Sequence, residues 1–165
     1  KEWREISMRL FHGTNVDFDK IDISKSNPWK DFGKGFYLTD IYEQALKMGK
    51  KKALIFGGEP IVQEYEFDEG HLHDGSLNIL SFSKPDKEWA KFIFMNRNRR
   101  FHEKRHKYDI VYGPIANDGV AYLLGRYDEG SLNLDELARM LKFKHLNNQY
   151  YFGTEKAISL LRRIL

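Results

Sequence analysis

The amino-acid sequence predicts an α+β fold, in one domain spanning residues 1–165. Three observations carry that expectation. The chain has 165 residues, 41% hydrophobic and 15% aromatic, enough for one core and too little for two. Short apolar runs of strand character are interspersed with segments of helical period. Their order is irregular, without the even βαβ rhythm of a doubly wound parallel sheet. No repeat, low-complexity tract or linker-like run suggests an internal boundary.

Taken in order, Arg9-Leu-Phe-His12 reads as a strand stopped by Gly13-Thr14-Asn15, and Gly35-Phe-Tyr-Leu-Thr39 as a second. Asp40 and Glu43 have the spacing of a capping box, and Ile41, Ala45 and Met48 follow on one face, so a helix is expected from about residue 41 into the 50s, ended by Gly57-Gly58. The run from Pro60 to Phe67 alternates with period two, and Leu77 to Phe82 is a further strand candidate. Ser83-Lys-Pro-Asp86 opens a helix carrying Trp89, Phe92 and Ile93. Tyr108 to Tyr112 reads as a strand ended by Gly113-Pro114, with helices near Val120–Leu124 and Leu134–Leu141 beyond it. Asn148 to Phe152 is expected to be the last strand, and Thr154 to cap a closing helix that runs to Leu165.

Composition excludes several classes. No stretch approaches the ~18 apolar residues of a membrane helix, and Lys1-Glu-Trp-Arg-Glu5 resembles neither a signal nor a transit peptide, so a cytoplasmic protein with no membrane partner is expected. The absence of Cys removes thiolate nucleophiles, disulfides and thiolate metal sites together. A net charge of +3 is too mild to announce a nucleic-acid binder. His71-Leu-His73 offers two imidazoles without a third ligand at metal spacing, so it reads as a surface loop and no metal is expected.

Three polar breaks next to aromatic strands stand out. Asp31-Phe-Gly-Lys-Gly-Phe-Tyr-Leu-Thr39 flanks a lysine with glycines, which suits either a tight turn before an edge strand or a backbone that lets a ligand approach closely. His12-Gly13-Thr14 sets an imidazole beside a backbone that can offer N–H and C=O to a planar amide. Asn148-Gln149-Tyr150 is the third, far away along the chain, and the three are expected to line one cleft. The basic run Arg97 to Lys107 is either a solvated helix end or a phosphate-facing patch, which Lys47 and Lys50-Lys51-Lys52 would extend.

With these motifs in view, the chain resembles the ADP-ribosyltransferase superfamily in its poly(ADP-ribose) polymerase and diphtheria-toxin branch, and most closely the bacterial family DUF3990. The DUF3990 resemblance runs from Leu10 to about Leu161, through Phe11-His-Gly-Thr14, Asp22-Ile-Ser-Lys25, Asp31 to Thr39, Tyr108 to Pro114, Asn147-Asn-Gln-Tyr150 and Thr154-Glu-Lys-Ala157. The polymerase-like part is Phe32-Gly-Lys-Gly-Phe-Tyr37, together with the order His12, Tyr37, Gln149. The resemblance implies a split, strongly bent antiparallel or mixed β-sheet core with flanking helices around an NAD cleft, with NAD as co-substrate and no metal. It implies His12, Tyr37 and Gln149 as catalytic positions, with His12 on the adenosine ribose, Gly13 on the nicotinamide carboxamide and Tyr37 stacked on the nicotinamide ring. Thr14, Gly35, Phe36, Ala45 and Arg97 complete the implied NAD-binding set. The implied activity is transfer of one ADP-ribose to a protein or nucleic acid, in a bacterial toxin or defence effector with an antitoxin partner.

Two departures follow from the same comparison. Where many members carry Glu, this chain carries Gln149, an amide that can bind ribose hydroxyls but neither takes a proton nor neutralises a developing cation. Asp118 and Glu155 are the candidate carboxylates to compensate, each more readily read structurally, Asp118 as a helix cap and Glu155 as a favourable first-turn charge. Met48 stands where a second nicotinamide-sandwiching Tyr is usual; it reads more readily as core, with Tyr42 as a substitute. The rival functions are an NAD-independent ribonuclease toxin using His12 and His102, and a catalytically silent NAD- or ADP-ribose-binding module.

Overall fold

The computed structural model describes residues 7–100, 106–116, 119–142 and 147–165. Within these residues seven strands form one mixed sheet: β1 (Ser7–Thr14), β2 (Phe36–Thr39), β3 (Ile61–Asp68), β4 (Ile79–Ser81), β5 (Ile110–Pro114), β6 (Asn148–Phe152) and β7 (Arg162–Ile164), in the order β4-β5-β6-β2-β1-β3-β7. The β4–β5 pair is parallel and the other pairs antiparallel. Among the described residues, five α-helices accompany the sheet: α1 (Tyr42–Phe56), α2 (Lys87–Arg97), α3 (Val120–Asp128), α4 (Leu134–Leu141) and the short α5 (Glu155–Ile158). No helix among the described residues is long and apolar enough to cross a membrane.

Strand alternation divides the core between the two faces of the sheet. Val111 and Tyr151 point to the face covered by α2, α3 and α4, where Trp89, Ile93, Leu137 and Leu141 are fully buried. Ile110, Tyr150 and Phe152 point to the other, with Leu10, Phe36, Leu38 and Phe67. Helix α1 lies against β1, β2 and β3. The approach is close enough that a Cβ on Gly13 would meet the Ala45 carbonyl oxygen at 1.9 Å, so glycine is required there by packing alone.

The sheet narrows at its centre. β1 pairs with β3 from Ser7 opposite Asp68 to Thr14 opposite Ile61, whereas β1 and β2 meet through Phe11 opposite Thr39. Beside this neck, His12 Nδ1–H donates to the Tyr37 carbonyl at 2.7 Å, so a side chain ties the two halves together.

The structure corrects several local expectations. β1 continues through Gly13-Thr14, and β5 includes Gly113-Pro114, because pairing with β3 and β6 holds those residues extended. Helix α1 has Ile41 as its N-cap with no side-chain cap; Thr39 Oγ1 accepts the Ile41 N–H instead of an Asp40–Glu43 box. Asn148–Phe152 is not the last strand, and the closing helix stops at Ile158. Arg162–Ile164 adds β7 to the edge of β3, where Arg162 pairs with Glu66 and Arg163 with Asp17: long-range pairing overrides local helix propensity.

Candidate functional site

A cavity of about 390 Å³ opens beside the neck. The register explains its floor: Phe11 faces Thr39 and Thr39 faces Gln149, so one row of the sheet brings three lining residues into line. His12, Gly13, Tyr37, Ala45, Arg97 and Gln149, six of the residues expected at an NAD site, line it together. Three others do not. Thr14 is buried, its hydroxyl in a local turn with Val16. Gly35 is forced by the Tyr151 ring, which a Cβ would meet at 2.3 Å. Phe36 is core, its ring 4.2 Å from the His12 ring, and so buttresses the imidazole.

The imidazole is a neutral acceptor. Donation from Nδ1 to a carbonyl fixes the tautomer and leaves Nε2 with its lone pair. Burial, reinforced by the Lys52 charge, pushes its pKa down to about 3, so the ring stays uncharged throughout the physiological range.

Tyr37 is held by the segment before it. Its hydroxyl donates to Gly33 O at 2.5 Å and accepts from Phe32 N–H at 3.0 Å. Burial first, and the neighbouring Asp31 charge second, hold the phenol well above its usual pKa, so it remains protonated. The Lys30 ammonium stands over its ring, 5.0 Å from the centroid. The same loop is fastened by His106 Nε2, 2.7 Å from Phe32 O, by Tyr151 Oη–H donating to Lys34 O and by Gly35 N–H donating to Ser26 Oγ. Gly33 takes φ +97°, so the Gly-Lys-Gly segment is a tight turn in which the first glycine supplies backbone freedom.

Charge in the cavity is unbalanced. Lys30, Lys51, Lys52 and Arg97 line it against one carboxylate, Asp31, among the described residues. Arg97 Nη1 donates to Asp31 Oδ1 at 2.8 Å, which leaves the lysines as the surplus. Lys52 Nζ donates to Gly13 O at 2.8 Å, and burial followed by the Lys30 charge lowers its pKa to about 8. An anionic ligand favours the protonated amine, so its affinity should fall as pH rises through about 8, where Lys52 loses its proton. Calorimetric titration with inorganic pyrophosphate should show a loss of about tenfold or more across that step, and Lys52→Met should bind weakly but without the pH dependence. Equal affinity on both sides of the step would remove Lys52 from the site.

The residue that sequence reasoning missed is Asp31. Gln149 Nε2 donates to its Oδ2 at 3.1 Å across 118 residues of sequence. The signal was present in the motif that Asp31 opens, but a single sequence does not show which distant side chain a carboxylate meets. Of the compensating acids expected instead, Asp118 lies outside the described residues and Glu155 sits in the first turn of α5, away from the cavity. Met48 is not core: it is 43% exposed and lines the cavity, whereas Tyr42 packs edge-on against Phe11 outside it.

The basic run divides. Arg97 enters the site, while Arg99 lies over the Trp29 ring at 4.8 Å in an adjacent cavity of about 250 Å³, and Arg100 pairs with Asp128. Residues 101–105, including His102, lie outside the described residues. Lys51 and Lys52 line the cavity; Lys47 and Lys50 are exposed on α1. His71 pairs with Asp74 in a 3-10 turn following β3.

No curated protein and no solved structure matches the chain. The model of a protein family of unknown function, DUF3990, matches residues 8–163. Since that match spans nearly the whole sequence, the protein belongs to the DUF3990 family.

Proposed function

We propose that the protein is an NAD-dependent mono-ADP-ribosyltransferase that attaches one ADP-ribose to a protein or nucleic acid. The observation that carries this reading is that His12, Tyr37 and Gln149, from three separate strands, border a single cavity. The residues suit a dinucleotide. Lys30, Lys51 and Lys52 supply positive charge for a pyrophosphate. His12 Nε2 is an acceptor for a ribose hydroxyl, and the Tyr37 ring borders the cavity as an aromatic surface on which a nicotinamide ring can pack. The narrow neck between β1 and β2 also agrees with a sheet that splits around a ligand.

Bound NAD would supply the leaving group: the bond from ribose C1′ to nicotinamide breaks with its electron pair going to nicotinamide, an acceptor lone pair bonds C1′, and the acceptor's proton passes to solvent. The chain's own contribution is to hold two rings and the ribose in place and to present electron-rich atoms towards a centre that becomes positive. A toxin or defence role with a neutralising antitoxin partner accompanies this reading.

Incubation with labelled NAD and bacterial lysate tests it, comparing the unaltered protein with His12→Ala of equal thermal stability. Label on protein or nucleic acid that falls about tenfold or more in the variant is expected. Absence of label from the unaltered protein would overturn transfer. RNA cleavage without NAD would replace it with the ribonuclease reading, and ADP-ribose binding without turnover would leave a binding module.

A further inference from the structure

The carboxylate inside the cavity is bound on both oxygens. Arg97 Nη1 donates to Asp31 Oδ1 at 2.8 Å and Gln149 Nε2 donates to Oδ2 at 3.1 Å; the Asp31 side chain is 13% exposed and that of Arg97 29%. An ionised carboxylate can only accept, so the pairing decides which way the Gln149 amide faces: its NH₂ group is turned to Asp31, and Oε1 is left as its acceptor. Without Asp31 the amide could present either end. The hydrogen bond to a charged partner also draws electron density towards Oε1, since linked hydrogen bonds polarise one another.

The carboxylate is itself held in place. Its loop is fixed by the Tyr37 hydroxyl bonds to Phe32 and Gly33 and by His106 at Phe32 O. The guanidinium of Arg97 balances its charge in a largely buried setting. Such a group is arranged before any ligand arrives, which is the requirement for stabilising charge without reorganisation.

From this we infer that Asp31 is the positioning residue of the site, a carboxylate behind an amide, which orients Gln149 Oε1 to accept a sugar hydroxyl. This rests on the transferase reading, and it places the residue that sets the orientation of the β6 amide in the loop before β2.

The test is a swap of the pair. Nicotinamide release from NAD in the presence of lysate is measured for the unaltered protein, Asp31→Asn, Gln149→Glu and the double variant, with thermal melting to establish folding. Asp31→Asn should lower kcat by about tenfold to a hundredfold, with a smaller change in KM. Gln149→Glu alone should also be impaired, because it sets two carboxylates side by side. The double variant again holds one acid and one amide, and should recover at least part of the loss. A kcat unchanged in Asp31→Asn, or a double variant no better than Asp31→Asn alone, would overturn the inference.

ADP-ribose binding by calorimetry on the same four proteins separates this outcome from that of the transferase reading. If the unaltered protein releases no nicotinamide but binds ADP-ribose, with affinity lost in Asp31→Asn and regained in the double variant, the transferase reading falls and the pairing stands. If it neither turns over NAD nor binds ADP-ribose, both fall.

Discussion

Gly13→Ala is expected to destabilise the protein by about 3 kcal/mol or more, at the upper end for overpacking, because the obstacle is backbone. The added Cβ would lie 1.9 Å from the Ala45 carbonyl oxygen and 2.8 Å from the Gly49 nitrogen, both main-chain atoms of α1, so no rotamer change relieves the contact. The helix must retreat from β1. At this chain length each kcal/mol lowers the melting temperature by about 2–4 °C, which gives a loss of about 6–12 °C. The retreat would also carry Ala45, Met48 and Lys52 away from the cavity wall, so pyrophosphate affinity should fall with it. Gly125→Ala is the control: a Cβ in that helix meets nothing within 4 Å, and alanine should stabilise by about 0.5–1 kcal/mol. Melting by circular dichroism decides. A Gly13→Ala protein that melts like the unaltered one would show that α1 does not press on β1 as described.

Tyr37→Phe is expected to cost about 2–4 kcal/mol although it keeps the ring, since it leaves two main-chain groups, Phe32 N–H and Gly33 O, without the hydroxyl that serves both. The loop they belong to carries Asp31, so on the proposed transferase reading nicotinamide release should fall along with stability. Tyr37→Trp, which keeps a large ring but not the hydroxyl, should be no better. If Tyr37→Phe instead retains full turnover and stability, the ring alone is the functional part and the hydroxyl anchors nothing. The two substitutions therefore separate a stacking surface from a scaffold.

Much of the fold was legible because its signals are local. The period-two run before Asp68, the Asp86 start of α2, whose carboxylate accepts from Trp89 N–H, and the Asn148–Phe152 strand all depend on residues a few positions apart. Glu136 completes a capping box with Asn133 at the start of α4 for the same reason. The end of the chain was not legible in this way. Arg162–Ile164 has no strand pattern of its own and becomes β7 because β3 offers an edge, with Glu66 and Asp17 there to meet the two arginines.

The candidate site divides along the same line. By itself the sequence determined that an imidazole, a phenol after a glycine turn and an amide stand on three strands, because short strand runs and turns are written in neighbouring residues. Only the tertiary structure decided that they share one cavity, that Met48 faces it while Thr14 and Phe36 do not, and that the acid beside Gln149 is Asp31. The reason is physical. Hydrogen-bond partners of buried charges are selected by the register of a sheet whose strands β2 and β6 are far apart along the chain, and that register is settled by the packing of the whole core.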